Sequence, residues 1–194
     1  MTPLLALDID STVWDVATPF LDAALEVIGD APDLETVFTW AHVLESYGEE
    51  ATARIYDRVL APERVRTREP YPNAAEVLRY LQTERGIRVH FVTRNLDPET
   101  LRPHLSPWLE KHFGSEVGLT ITSGDKMSVV RELGAFGLVD DDPETLISVA
   151  EGGMWAATKV QPWNRRIVTG RRDLHGFDNW RELPALLPDC VSNL

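Results

Sequence analysis

The chain has 194 residues, of which 43% are hydrophobic and 26% are charged, and its formal net charge at pH 7 is -12. This length suits one ordinary α/β domain with a small insertion, because a second full domain would need more chain. An acidic surface repels nucleic acid polymers, and no stretch reaches the roughly 18 consecutive apolar residues that a membrane span requires. We therefore expect neither a nucleic acid polymer nor a membrane as a partner.

Cysteine usage and the N-terminal sequence indicate the compartment. The one cysteine, Cys190, cannot form an intramolecular disulfide. The first residues run directly into a strand-like segment and do not resemble a secretory signal peptide. We expect a protein of the reducing cytoplasm, whose oligomeric state the sequence leaves open.

Short apolar or β-branched runs alternate with longer helical patterns, which is typical of βαβ units and a parallel sheet. The predicted strands cover residues 4–8, 88–92, 119–122, 136–139, 154–157 and 166–169. For the basic run RRIVTGRR, residues 165–172, we expect a solvated hairpin, with a local contact to phosphate or to a partner as the alternative. Apolar residues at helical spacing between the strands, as over residues 74–81, indicate helices. The predicted fold class is α/β, with a central parallel sheet flanked by helices.

The segment between the first two strands departs from this alternation. Its pattern predicts three helices, over residues 19–28, 34–47 and 50–60, with GDAPD and Gly48 as breaks. About 55 residues is far more than a crossover helix needs. We predict a small helical cap, residues 15–69, inserted after the first strand of a core formed by residues 1–14 and 70–194.

Polar side chains follow four of the predicted strands, and open α/β sheets place their ligands at these carboxyl ends. In chain order they are Asp8 and Asp10, then Thr93, Arg94 and Asn95, then Lys126, then Asp140, Asp141 and Asp142. The residues after the second strand suit an anion, and the Lys126 ammonium suits a phosphate. The sequence therefore predicts a site for a small phosphorylated substrate at this edge.

The acids themselves indicate a magnesium site. Side chains alternate in an extended segment, so Asp8 and Asp10 point to the same side, and the backbone carbonyl near Asp10 is also available. Two oxygens from this turn and one carboxylate after the fourth strand leave positions for water and phosphate around Mg²⁺. A bound cation also explains how so many acids are tolerated together. We expect Mg²⁺ as the cofactor.

Taken in order, Asp8-Ile-Asp10-Ser-Thr, Thr93, Lys126 and Asp140-Asp141 resemble the four motifs of the haloacid dehalogenase-like (HAD) phosphatases. The resemblance implies a Rossmann-like core and hydrolysis through an aspartyl-phosphate. Asp8 is then the nucleophile, and Asp10 is the general acid and base.

The same resemblance assigns the remaining motif residues. Thr93 is expected to bind the phosphoryl oxygens, with Arg94 and Asn95 beside it, and Lys126 to offset charge between Asp8 and phosphate. Asp8, Asp10 and Asp141 are expected to hold the metal, with Asp140 adjacent.

Finer features resemble the 5'(3')-deoxyribonucleotidase branch, whose members remove phosphate from nucleoside monophosphates. They are the insertion after the first motif, TRN at 93–95, VDDDPET at 139–145, QPWNR at 161–165 and FDNWREL at 177–183. DIDSTV is also similar to phosphoserine phosphatases, and DIDSTVW to magnesium-dependent phosphatases. Nucleoside monophosphates are the expected substrates; phosphoserine, sugar phosphates and a phosphotransferase reaction remain alternatives. A binding protein without activity is disfavoured by the intact motifs.

Members of that branch recognise the base with aromatic side chains of the cap. The candidates here are Phe38, Trp40, Tyr47 and Tyr56, of which Trp40 and Phe38 are the first choices, and Trp14 is expected to face the pocket. Packing of these rings within the cap is the ordinary alternative. For Arg94 the alternative is a surface ion pair, and Asp142 is expected to cap the helix that Pro143 begins.

Overall fold

A computed structural model describes residues 2–31, 33, 40–95 and 98–192, and within them one parallel sheet has the strand order β3-β2-β1-β4-β5-β6. Its strands are β1 (Leu4–Leu7), β2 (Arg88–Arg94), β3 (Gly118–Thr122), β4 (Gly137–Val139), β5 (Trp155–Lys159) and β6 (Leu174–Phe177). The chain moves outward from β1 to β3 and then returns to place β4 on the other side of β1. The strand order therefore reverses beside β1, where open α/β sheets form a ligand crevice.

Helices connect the strands and cover both faces of the sheet. They are α1 (Ala17–Ile28), α2 (Trp40–Val59), α3 (Pro62–Thr67), α4 (Ala74–Thr83), α5 (Pro98–Phe113), α6 (Lys126–Glu132), α7 (Pro143–Glu151), α8 (Arg165–Gly170), α9 (Leu183–Leu186) and α10 (Asp189–Ser192), with a 3-10 turn over Trp180–Glu182. Among the described residues, none of the helices combines the length and apolar character needed to cross a membrane.

Two hydrophobic clusters lie on opposite faces of the sheet. Leu5 and Leu7 of β1 pack into a cluster rich in aromatic rings with α4 and α5, whereas Leu4 and Ala6 pack into an aliphatic cluster with α6 and α7. Alternate residues of a strand point to opposite faces, so the fully buried run LLAL serves both clusters. The predicted α/β sheet with helices on both faces is confirmed.

The sixth predicted strand is wrong. Residues 166–169 lie in α8, and the edge strand β6 is Leu174–Phe177, which pairs in parallel with β5. The Asn164 carbonyl accepts hydrogen bonds from the amides of Ile167 (3.2 Å) and Val168 (3.2 Å), which starts a helical turn despite two β-branched residues. The hairpin expected over 165–172 is wrong for the same reason.

Between β1 and β2 the described chain is helical, as predicted. The helices α1 and α2 pack through a small cluster that includes Phe20, Ala24, Ile55 and Val59. The backbone of Gly48 has φ 76° and ψ 169°, outside the helical region, so α2 consists of two helical segments that meet at a kink, and the predicted break at Gly48 is confirmed. Residues 34–39 of the second predicted helix lie outside the described residues, and α3 was not predicted.

Candidate active site

The turn after β1 directs two carboxylates toward the carboxyl edge of the sheet. The Asp8 amide donates to the Val139 carbonyl of β4 (2.8 Å), which continues the pairing of the two strands to this point. The Ile9 carbonyl then accepts from the amides of Thr12 (3.3 Å) and Val13 (3.0 Å), which closes a tight turn. Within it Ser11 has a left-handed backbone, with φ 54°, an uncommon conformation outside glycine.

We define the charged cluster as Asp8, Lys126, Asp140 and Asp141. The Lys126 ammonium donates to Asp8 Oδ1 (2.5 Å) and to Asp140 Oδ2 (2.9 Å), and these three residues are at most 6% exposed. One carboxylate oxygen from each of Asp8, Asp140 and Asp141 lies within 4.8 Å of the others. Lys126 is the first residue of α6, and the Asp125 carboxylate caps this helix by accepting hydrogen bonds from backbone amides of its first turn. Three strand ends thus meet at one buried group of charges.

The charged cluster holds three carboxylates against one ammonium. Burial raises the pKa of Asp8, although Lys126 opposes the shift, and it raises the pKa of Asp140 to about 7. Burial and the neighbouring Asp8 and Asp140 raise the pKa of Asp141 well above its usual value. Burial alone would lower the pKa of Lys126, but Asp140 and Asp8 outweigh it and raise that pKa. An excess of buried carboxylate oxygens is a donor set that fits a hard divalent cation such as Mg²⁺.

The three carboxylates that lie together are not the predicted metal set of Asp8, Asp10 and Asp141. The Asp10 carboxylate accepts a hydrogen bond from the Trp14 indole (2.6 Å), so Asp140 takes the third position in the carboxylate group. Both Asp140 oxygens have protein partners, because Oδ1 accepts from the Asp142 amide (2.9 Å) and Oδ2 from Lys126. The backbone carbonyl near Asp10, which was also predicted to be available as a ligand, belongs to the same turn.

The last residues of β2 and the residue directly after it point in two directions. Thr93 and Asn95 are 2% and 7% exposed, and the Asn95 side-chain amide donates to the Tyr56 hydroxyl of α2 (2.9 Å). Alternation places Arg94 on the other side, where its side chain is exposed and its charge acts on Asp125. Arg94 is not a member of the charged cluster, and its predicted role in substrate binding stays a prediction.

The predicted aromatic contacts also need correction. Trp14 is 1% exposed and packs on the Trp108 ring, with centroids 4.5 Å apart, so it lies in the core rather than on an open pocket wall. It reaches the site only through its hydrogen bond to Asp10. Trp40 begins α2, but its side chain, like the whole of Phe38, lies outside the described residues. Asp142 caps α7 by accepting from the Thr145 amide (3.1 Å), which confirms that prediction.

Three further side chains support the site. The Trp163 indole donates to Asp141 Oδ2 (3.2 Å), and the Gln161 side chain donates to the Ser11 carbonyl (2.8 Å). Both residues belong to the segment QPWNR, whose resemblance to the 5'(3')-deoxyribonucleotidase branch assigned no role to either of them. The third, Arg68, stacks on Trp14 with its guanidinium carbon 4.6 Å from the ring centroid. Nothing in the sequence around Arg68 indicates this contact, because it depends on how the chain returns from α3.

Solved structures with the fold of this chain include haloacid dehalogenase-like hydrolases. CbbY from Rhodobacter sphaeroides in complex with phosphate has a TM-score of 0.66 and 14% identity, with 100% of both chains covered. A complex of CbbY with xylulose-(1,5)bisphosphate has a TM-score of 0.65 and 13% identity, covering 94% of this chain and 96% of that one.

Two other solved structures give the same result. A protein assigned as a beta-phosphoglucomutase from Bacteroides vulgatus has a TM-score of 0.60 and 14% identity over 96% of this chain and 90% of its own. A HAD-superfamily hydrolase of subfamily IA from Geobacter sulfurreducens has a TM-score of 0.54 and 15% identity over 96% and 100%. No protein-family model matches this sequence, and no curated protein matches it. At these identities the likeness shows the fold, and the predicted HAD-like fold is confirmed.

Proposed function

We propose that the protein is a Mg²⁺-dependent phosphomonoester hydrolase that acts through an aspartyl-phosphate on Asp8. The observation that carries this proposal is the buried Asp8 carboxylate, bonded to Lys126 and within 4.8 Å of Asp140 and Asp141. A nucleophile that must approach a phosphate dianion needs such neighbouring positive charge to offset the repulsion. In the proposal, residues 1–14 and 70–194 are the catalytic core, residues 15–69 are the cap, and the cytoplasm is the compartment.

The first half of the reaction transfers the phosphoryl group to the protein. One Asp8 oxygen forms a bond to phosphorus as the bond from phosphorus to the substrate oxygen breaks. Asp10, protonated at this stage, gives its proton to the departing oxygen, which leaves as an alcohol. Lys126 offsets the negative charge between Asp8 and the phosphoryl group, and the Thr93 hydroxyl donates to a phosphoryl oxygen.

The second half restores the protein. Asp10, now ionised, removes a proton from water as the water oxygen bonds to phosphorus, and the bond from Asp8 to phosphorus breaks to give inorganic phosphate. Burial raises the pKa of Asp10, opposed by the Trp14 hydrogen bond, and this direction favours a carboxyl that carries a proton in one half and accepts it in the other.

The metal ligands in this proposal are Asp8, the backbone carbonyl of Asp10, and Asp141. Asp141 is preferred to Asp140 because both oxygens of Asp140 accept hydrogen bonds of 2.9 Å, whereas Asp8 Oδ2 has only a long contact with the Thr12 hydroxyl (3.4 Å). When bound, Mg²⁺ supplies electrostatic neutralisation of the phosphoryl oxygens. The Trp163 indole holds Asp141 Oδ2 and so orients this ligand.

The substrate class is a small phosphorylated metabolite, with sugar phosphates as the first candidates. Tyr56 reaches the site from α2 with its hydroxyl engaged by Asn95, so the described cap surface near the site offers a polar contact. The complex of CbbY with xylulose-(1,5)bisphosphate supports the same class. Nucleoside monophosphates are the second candidates, because QPWNR, which supplies Trp163 to Asp141, resembles the nucleotidase branch. Transfer to a second hydroxyl instead of water would make the same site a phosphotransferase.

Hydrolysis of p-nitrophenyl phosphate with and without Mg²⁺ tests the proposal. We expect activity with Mg²⁺ and none after chelation with EDTA, and we expect Asp8→Asn to lose at least about a hundredfold in kcat/KM, as essential catalytic groups do. Asp173→Asn is the matched control, since Asp173 is exposed, pairs with Arg171 and does not belong to the charged cluster. Undiminished turnover in metal-free buffer, or in Asp8→Asn, would contradict the proposal. A panel of sugar phosphates, nucleoside monophosphates and phosphoserine then ranks the substrates.

A further inference from the structure

The two connections between the sheet and the helices α1–α3 run side by side. Trp14, on the outgoing connection, forms an antiparallel bridge with Pro70 on the returning one, and the Tyr71 amide donates to the Val13 carbonyl (2.7 Å). The outgoing connection starts four residues after Asp10. The path of both connections is therefore fixed close to this carboxylate.

We define the linker cluster as Asp10, Trp14, Arg68 and Trp108. The Trp14 ring contacts the Arg68 guanidinium, which lies over it 4.6 Å from its centroid, and the tilted Trp108 ring, whose centroid is 4.5 Å away. The Trp108 indole donates to the Arg68 carbonyl (2.8 Å), which closes the cluster. Trp14 is 1% exposed, and close packing around it leaves the ring little freedom to rotate.

Arg68 also touches the last turn of α2. Its Nη2 donates to the Val59 carbonyl, and Val59 is the final residue of that helix. Val59 itself is fully buried in the cluster that joins α1 to α2. The position of the Arg68 guanidinium therefore depends on where the end of α2 lies.

The Trp14 side chain connects Arg68 to Asp10, because its ring contacts the guanidinium and its indole N–H binds the carboxylate. Its single N–H donates to Asp10 Oδ1 (2.6 Å), a short distance for a bond between a nitrogen donor and a carboxylate. An indole has one donor, so it engages one carboxylate oxygen and leaves the second to exchange a proton. A fixed Oδ1 sets the direction in which that second oxygen faces.

We propose that Trp14 and Arg68 are positioning residues for proton transfer by Asp10, and that Arg68 makes this positioning depend on the seating of α2. The inference rests on the proposed function, in which Asp10 protonates the leaving oxygen. It assigns Trp14 a role different from contact with substrate. It also assigns a role to Arg68, which the sequence did not single out.

A positioning role predicts a selective defect. Proton transfer requires hydrogen-bond reach between the acid and the leaving oxygen, and it accelerates reactions mainly when that oxygen would otherwise leave as a strong base. An alkoxide is such a base, whereas p-nitrophenolate leaves readily without a proton. The ratio kcat/KM covers only the steps up to loss of the leaving group, so it excludes the later attack of water that both substrates share. Misplacing Asp10 should therefore lower kcat/KM for alkyl phosphates and spare kcat/KM for p-nitrophenyl phosphate, while general damage to the site lowers both.

Trp14→Phe and Arg68→Met test this with glycerol 2-phosphate and p-nitrophenyl phosphate. Each variant keeps much of the buried surface and removes the indole N–H or the cation. We expect kcat/KM for glycerol 2-phosphate to fall roughly 10- to 100-fold, part of what a general acid contributes, with kcat/KM for p-nitrophenyl phosphate within about threefold. Asp10→Asn gives the full selective loss in kcat/KM. Equal losses of kcat/KM on both substrates would overturn the proposal.

Two control variants match these changes elsewhere. Trp155→Phe removes an indole that donates to the Leu186 carbonyl (3.1 Å), and Arg58→Met removes a cation that binds Glu26 (3.0 Å) on the same helix as Val59. Both control variants should keep the wild-type ratio of kcat/KM for glycerol 2-phosphate to kcat/KM for p-nitrophenyl phosphate. A change in this ratio in either control would show that the readout does not report on the linker cluster, and would count against the proposal.

Nuclear magnetic resonance of the indole groups provides a readout that needs no turnover. The chain has six tryptophans, and the cross-peak lost in Trp14→Phe identifies the Trp14 indole. Asp10→Asn and Arg68→Met should both move this peak, and Arg58→Met should leave it in place. A peak insensitive to Asp10→Asn or to Arg68→Met overturns the proposal even when the protein is an active phosphatase. If wild-type protein hydrolysed no phosphomonoester, the proposed function and the role in proton transfer would both be refuted. The indole cross-peaks would still show whether Trp14 contacts Asp10 and Arg68.

Discussion

The charged cluster and the linker cluster hold the two acids of one motif by different means. Asp8 is bonded by the Lys126 ammonium at 2.5 Å, whereas Asp10, two residues later, is bonded by the neutral Trp14 indole at 2.6 Å. A nucleophile must stay ionised, and a nearby cation favours that form. A carboxyl that alternately gives and takes a proton is better served by a neutral donor, which orients it without fixing its charge. The difference in partner matches the difference in proposed role.

The two clusters also differ in how the chain builds them. The residues of the charged cluster follow or begin elements at the carboxyl edge of β1, β3 and β4, so the sheet itself brings them together. The residues of the linker cluster come from connections and from α5, and they meet through ring packing. Changes in the charged cluster should therefore have large electrostatic costs, whereas changes in the linker cluster should alter geometry.

The largest effect on stability is expected for Lys126→Met. Removing one partner leaves Asp8 and Asp140 buried without their cation, which typically costs about 3–5 kcal/mol in the free energy of unfolding. Urea denaturation in metal-free buffer measures this loss. Lys111→Met is the matched control, because Lys111 pairs with Glu69 at 3.5 Å on the surface, where such pairs contribute about 0–1 kcal/mol. A loss for Lys126→Met as small as for the control would contradict the described charged cluster.

Mg²⁺ should stabilise the folded protein through the charged cluster. A ligand that binds the folded state alone contributes about 2.7 kcal/mol at a concentration one hundred times its Kd. We expect the Tm to rise with Mg²⁺ concentration in wild type and in Trp14→Phe, and to rise much less in Asp141→Asn. This result would assign the metal to the charged cluster. An unchanged Mg²⁺ response in Asp141→Asn would remove Asp141 from the ligand set.

The smallest effect is expected at Asp125, which supports Lys126 from outside the charged cluster. Its carboxylate caps α6 by accepting from the amides of Met127 (3.1 Å) and Ser128 (3.0 Å), so Asp125→Ala should cost about 0.5–2 kcal/mol. Burial is the largest single influence and would raise the pKa of Asp125, but the hydrogen bonds from Met127 and Ser128, together with the Arg94 charge, outweigh it and hold the pKa below its usual value.

The direction of that shift makes the cap sensitive to acid. A depressed folded pKa contributes stability that is present above the unfolded pKa of about 3.9 and is lost as pH falls through the folded value. The stability difference between wild type and Asp125→Ala should therefore be constant near neutral pH and shrink below about pH 4. Urea denaturation across this range measures it, and a difference that grows in acid would show that Asp125 does not cap α6 as an ionised group.

Sequence patterns predicted the sheet and the charged cluster because both depend on local features. Asp8, Lys126 and Asp141 follow apolar strands or begin a helix, and the rule that ligands gather at carboxyl edges needs only the strand assignments. The prediction failed at residues 166–169, where β-branched residues favour a strand but the turn after β5 starts a helix. Local preference was overridden there by tertiary structure.

The linker cluster was beyond sequence analysis because its members are far apart in the chain. Trp14 follows the turn that carries Asp8 and Asp10, so an exposed ring at the pocket was expected, but the ring is 1% exposed and packs against Arg68 and Trp108. For Arg94, strand alternation turns the side chain away from Thr93 and Asn95, and this follows from the strand assignment alone.

The most direct test of the account is to map the phosphoryl group on the quenched enzyme. Wild-type protein mixed with a labelled phosphomonoester and Mg²⁺ should be stopped in acid during turnover, digested, and analysed by mass spectrometry. We expect one labelled peptide, with the phosphoryl group on Asp8, that is absent after EDTA and absent in Asp8→Asn. Turnover with a phosphoryl group on another residue would contradict the assignment of Asp8 as the nucleophile.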